Sequence, residues 1–147
     1  MRKLRETING CIYSEKDMKD ALGKMNVHLP SSLLAFYLEN SGQNFQENKF
    51  LDYKVRGWFN VKAGRCDVEQ VAMSLQDVVN HSRDFVPEQL IPFAYNDLND
   101  YFLLSKTDEV FFLRNDMFYN EKDALVKIAD SFEDFVNGLV VGDGLTN

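Results

Sequence analysis

A chain of 147 residues is the size of one ordinary domain, and 45% hydrophobic residues, 13% aromatics and only 3 prolines exclude a disordered or collagen-like polymer. A formal charge of −7 excludes general attraction to phosphate backbones or anionic lipid, because such surfaces repel an acidic protein. The excess is local: residues 1–95 hold 12 Lys/Arg and 12 Asp/Glu, whereas residues 96–147 hold 4 and 11.

Met1-Arg2-Lys3-Leu4-Arg5 begins with positive charge, but no apolar run of signal-peptide length follows it. The longest apolar run, residues 33–38, is far shorter than the roughly 20 residues of a membrane-spanning helix. A soluble, cytoplasmic protein with reduced Cys11 and Cys66 is expected. Met18, Ala21, Leu22 and Met25 recur at helical spacing, so residues 15–26 read as an amphipathic helix capped by Ser14. A second helix follows, with Pro30 in its first turn, Leu33, Leu34, Tyr37 and Leu38 on one face, and Gly42 as the stop. From Phe50 the period shifts towards two: residues 50–55 and 57–61 read as two strands or one bent strand. Asp67 then caps a helix on which Val68, Val71, Ala72, Leu75, Val78 and Val79 keep their spacing. Three β-type runs come next, at 90–95, 101–105 and 110–114, and their short connectors favour antiparallel neighbours. Ser131-Phe132-Glu133-Asp134 opens a last helix with Phe132, Phe135, Val136 and Leu139 on one side; Gly138, Gly142 and Gly144 read as its frayed end. The order predicts one α+β domain over 1–147, a mainly antiparallel sheet with flanking helices.

The chemistry of an enzyme is not legible. No glycine-rich strand-to-helix turn offers a phosphate cradle, and no GxSxG nucleophile elbow occurs. Cys11, His28, Cys66 and His81 stand singly without metal-ligand spacing, so no metal or cofactor is expected. Asp97-Leu98-Asn99-Asp100 has the start of a calcium loop, but Tyr101 and Phe102 occupy the places of a ligand and the turn glycine. Lys49, Lys54, Arg56, Lys62 and Arg65 flank Trp58 and Phe59. Strand alternation around a core tryptophan explains this better than a nucleic-acid platform.

The segment from Leu29-Pro30 through Phe36-Tyr37-Leu38 to Asn40-Ser41-Gly42 resembles the opening helix of the SUKH superfamily. That superfamily includes fungal cell-wall glucan-synthesis regulators and many bacterial proteins. Leu90-Ile91-Pro92-Phe93-Ala94 with Asp97, and then Asp100-Tyr101-Phe102, resemble its central pair of strands; Ser131-Phe132-Glu133-Asp134-Phe135 resembles its terminal helix. The likeness covers about residues 28–140, with one departure: Leu98-Asn99 stand where the family often has glycine, and Asn tolerates the left-handed backbone such a turn uses. The resemblance implies a SUKH-like fold and a non-enzymatic binding protein. It would be an immunity protein that neutralises a toxin, a nuclease or deaminase, or alternatively a regulatory or scaffolding module of the fungal-regulator kind. A folded acidic surface suits the basic cleft of a nucleic-acid enzyme, so a basic protein is the expected partner, with no direct nucleic-acid or membrane contact. The candidate contact residues are Asp97, Asp100, Asp108, Glu109, Asp116, Glu121 and Asp123, on connectors that alternate between the two ends of the sheet.

Overall fold

The computed structural model describes residues 1–8, 15–16, 30–40, 44–59, 90–114 and 124–142. The helix expected over 67–79, Gly42, both cysteines and both histidines lie outside these residues. Of the helix expected over 15–26, Glu15 and Lys16 are described, and both are helical.

The centre of the fold is a five-stranded antiparallel sheet in the order β5 (Gly57–Trp58), β6 (Leu90–Tyr95), β7 (Tyr101–Ser105), β8 (Val110–Leu113) and β9 (Leu125–Ala129). Its three middle strands match the runs expected from sequence almost to the residue. All five residues of β7 are buried, as a strand covered on both faces requires, and its unbroken YFLL run is the signature of that position. Pro92 interrupts β6 without breaking it. The register shifts between Pro92 and Ala94, and a bulge is where a strand tolerates a residue with no N–H to donate. β9, missed from sequence, alternates weakly: Val126 and Lys127 are both exposed.

Two smaller sheets flank this one. β1 (Glu6–Ile8) pairs with β2 (Asn44–Phe45), and β3 (Glu47–Phe50) lies between β10 (Val140–Val141) and β4 (Tyr53–Lys54). The run 50–55 is therefore a hairpin and not a strand: Phe50 pairs with Tyr53 across Leu51-Asp52. The glycine-rich end is corrected too. The chain past Gly138 does not fray at once but enters β10, and the Gly142 N–H donates to Asn48 Oδ1 at 2.9 Å.

α1 (Ser31–Glu39) buries Leu33, Phe36 and Tyr37, so the expected face is displaced: Leu34 is half-buried and Leu38 exposed. Phe36 decides this. It stacks on Trp58 with centroids 4.3 Å apart and meets Phe132 edge-on at 5.6 Å, tying α1 to the sheet and to α2 (Phe132–Asn137). α2 behaves as its sequence predicts. Ser131 accepts the Asp134 N–H at 3.0 Å, and Phe132, Phe135, Val136 and Leu139 are all buried. Phe93 and Phe102 complete this aromatic core, with Phe135 5.6 and 5.8 Å from their rings.

Candidate functional site

The antiparallel register assigns each connector to an end of the large sheet. Tyr95 pairs with Tyr101, so residues 96–100 close one end; Leu104 pairs with Val110 and Val110 with Ala129, so residues 106–109 and Asp130 share the other. β7 alone separates the ends by roughly 17 Å. The candidate acids therefore fall into two groups.

At the first end, Asn96 organises the connector. Its Oδ1 accepts the N–H groups of Leu98 at 3.0 Å and Asp100 at 2.8 Å, while its Nδ2 donates to Asp100 Oδ2 at 3.0 Å. Asn99 takes a φ of 60°, so the position where the family often has glycine is filled by a residue that adopts the same backbone. Asp100 is 7% exposed and its carboxylate is held inside its own turn. Asp97 is exposed and meets Arg56 Nε at 3.3 Å. Arg114 N–H donates to Ala124 O at 3.0 Å beside this end, and Asp116, Glu121 and Asp123, which lie between them in sequence, fall outside the described residues.

Among the described residues, the second end is the more acidic. Asp108, with φ 71°, accepts a hydrogen bond from Ser32 Oγ of α1, and Glu109 Oε1 accepts from Thr107 Oγ1 at 2.8 Å. Lys127 Nζ lies 2.9 Å from both Glu109 Oε2 and Asp130 Oδ1. The Lys127 contact, reinforced by Thr107, holds the Glu109 carboxyl below its ordinary range, and Glu109 and Asp130 raise Lys127 above its own. Directly after Asp130, the first turn of α2 adds exposed Glu133 and Asp134. Asp130, Glu133 and Asp134 were not candidates from sequence, because helix capping accounts for the last two. Only the β8–β9 register brings Asp130 beside Glu109, with α2 starting directly after it. Trp58 and Phe59, which the basic residues flank in sequence, are both buried; Lys62 and Arg65 lie outside the described residues. Among the described residues, no three His, Cys, Asp or Glu side chains gather to hold a metal ion. No helix among them is long and apolar enough to cross a membrane.

The elements from α1 through α2 occur in the order that the resemblance implied, and residues 13–138 match the model of the SMI1 / KNR4 family (SUKH-1). The chain belongs to the SUKH-1 family. Membership carries an immunity or regulator-like role in general, exerted by binding proteins through protein–protein contact. No curated protein matches the chain.

Proposed function

We infer that this SUKH-1 protein is an immunity-type binder, which neutralises a toxin of the nuclease or deaminase class by laying an acidic surface across the toxin's basic cleft. The observation that carries the reading is the gathering of Asp108, Glu109, Asp130, Glu133 and Asp134 at one end of the sheet, against Lys106 and Lys127. An acidic field of this kind accelerates encounter with a basic partner and weakens as salt rises. Asp97, neutralised by Arg56, and Asp100, turned inward, have smaller parts in such a field than Glu109 and its neighbours.

The test is co-expression with a basic toxin domain encoded beside this gene. Restored growth is expected from the native chain, and loss of protection from the double variant Glu133→Lys, Asp134→Lys. Those exchanges cost about 0.3–1 kcal/mol each at a helix N-terminus, which leaves the fold intact for comparison by circular dichroism. Growth arrest despite abundant folded protein would sink the immunity reading. Full protection by the charge-reversed variant would sink the acidic mechanism alone. Stable capture of a non-toxic cellular protein, with no protection, would favour the regulatory role.

A further inference from the structure

Of the two edge strands of the large sheet, β5 is two residues long and β9 five, and among the described residues β9 pairs with β8 alone. One bond sets the backbone direction along β9. The Arg114 N–H donates to Ala124 O at 3.0 Å, so Ala124 faces β8, and in the same register Val126 does too, opposite Phe112. Strand alternation then turns the N–H and C=O groups of Leu125 and Lys127 away from the sheet. The pairing with β8 passes from Lys127 to Ala129 and skips Ile128, a bulge that ends the regular edge there. The open stretch is therefore Leu125-Val126-Lys127, with Val126 37% exposed at its centre.

An open edge offers its backbone groups to another strand, and proteins guard such edges with proline, charge or shortness. β9 has no proline or glycine, and its one charge is committed to its own chain. Lys127 Nζ lies 2.9 Å from both Glu109 Oε2 and Asp130 Oδ1.

Charge and register select the occupant. An antiparallel second copy sends the acidic ends of the two sheets in opposite directions, whereas a parallel one would set Glu109 and Asp130 of both copies side by side. Only a twofold axis at Val126 pairs all three open residues of both copies. Leu125 then exchanges both backbone bonds with Lys127 of the second copy, and Val126 meets Val126 at the close, non-hydrogen-bonded spacing of about 4.5 Å. This register covers the exposed valine with itself and lays each lysine stem along a leucine, with no two lysines directly opposite. We propose that β9 is a homodimerisation edge, at which two copies join their large sheets through antiparallel pairing of Leu125-Val126-Lys127. The proposal is independent of the toxin reading.

The test is analytical ultracentrifugation of the full chain across the micromolar to millimolar range, where an interface this small acts. The mass is expected to rise with concentration towards twice that of the monomer. Each copy carries −7, so added salt should tighten the association, the reverse of its effect on an acidic surface bound to a basic toxin. Val126→Glu and Val126→Lys should each raise the dissociation constant about tenfold or more by setting like charges face to face, and an equimolar mixture of the two should associate again. With one variant 15N-labelled, its Leu125 and Lys127 amides should shift when the other is added. A native chain that stays monomeric to millimolar concentration, folded charge variants that dimerise like the native chain, or a mixture no tighter than either variant alone would each overturn the proposal. A monomeric chain whose β9 amides shift on addition of the toxin domain would also overturn it, and would assign the edge to that partner. Glu133 and Asp134 lie outside β9, so the toxin-protection experiment stands or falls separately.

Discussion

Asp97 and Asp100 show how identical side chains divide between facing outward and building a turn. From sequence, Asp97 and Asp100 are equivalent turn acids; in the structure one is exposed beside Arg56 and the other is 7% exposed and bonded to Asn96. The difference comes from the β6–β7 register, which no local pattern around 96–100 encodes. Asn96→Ala removes both acceptor contacts and the donor to Asp100, taking one hydrogen bond from a buried carboxylate. A loss of about 2 kcal/mol is expected, read as a lower urea midpoint with unchanged m-value. Glu109 offers a pH-dependent counterpart. Its carboxyl is lowered by Lys127, so the contact's contribution is present above the pKa of an unfolded glutamate and is lost as pH falls through the lower, folded value. Lys127 is raised, so its share persists below the ordinary lysine pKa and disappears as pH climbs through the higher, folded one. A carboxyl-carbon titration should place Glu109 below free glutamate in the native chain, and Lys127→Met should move its midpoint upward. An unmoved midpoint would show that Lys127 is not the cause.

At the scale of elements, legibility followed length and punctuation. β6, β7, β8 and α2 carry continuous apolar runs or a side-chain cap, and all were readable. β4 and β5, two residues each, fall inside the runs 50–55 and 57–61 that read as strands, whereas β2 and β10, also two residues each, are too short to show a period and exist through pairing with distant partners. The β3–β4 hairpin was hidden for another reason: its turn is Leu51-Asp52, with no glycine or asparagine to mark it. Leu51 nonetheless takes a φ of 52° and is 67% exposed, so it bears left-handed strain with little burial to offset it. Leu51→Asn is expected to stabilise the protein by about 0.5 to 1 kcal/mol and Leu51→Val to destabilise it, because a β-branched residue fits that backbone worst. Thermal midpoints moving in opposite directions would verify the strain; a fall in both variants would show that the leucine side chain matters more than its backbone.

The whole molecule depends on residues beyond the family match. Residues 1–8 precede the matched span of 13–138, and Leu139 to Gly142 follow it, yet each segment sends one side chain, Leu4 and Leu139, into the core. Leu4 is 2% exposed, and Arg2 Nη1 donates to Val136 O and Leu139 O, each at 2.8 Å, satisfying carbonyls at the end of α2. Asn40, which in the sequence reads as part of a helix stop, receives this strand. Its Oδ1 accepts the Leu4 N–H at 2.7 Å and its Nδ2 donates to Arg2 O at 2.9 Å. Contacts so far apart in the chain leave no local trace, which is why the sequence pattern announced no element over the opening residues. The same folding that straps residues 1–8 across both helices also redistributes the −7 charge. Among the described residues, one end of the sheet holds Glu109 and Asp130 on Lys127, and at the other Arg56, from before the acidic third, meets Asp97. Asn40→Ala tests the strap. It strands the buried Leu4 N–H and frees Arg2 O, for an expected cost of about 2 to 3 kcal/mol, against less than about 0.5 for Glu39→Ala on the exposed face beside it. Hydrogen exchange separates this from a general loss of stability. The Leu4 amide should lose protection ahead of Leu103 in β7, whereas equal acceleration at both would mean that the N-terminal segment and the central sheet open as one unit.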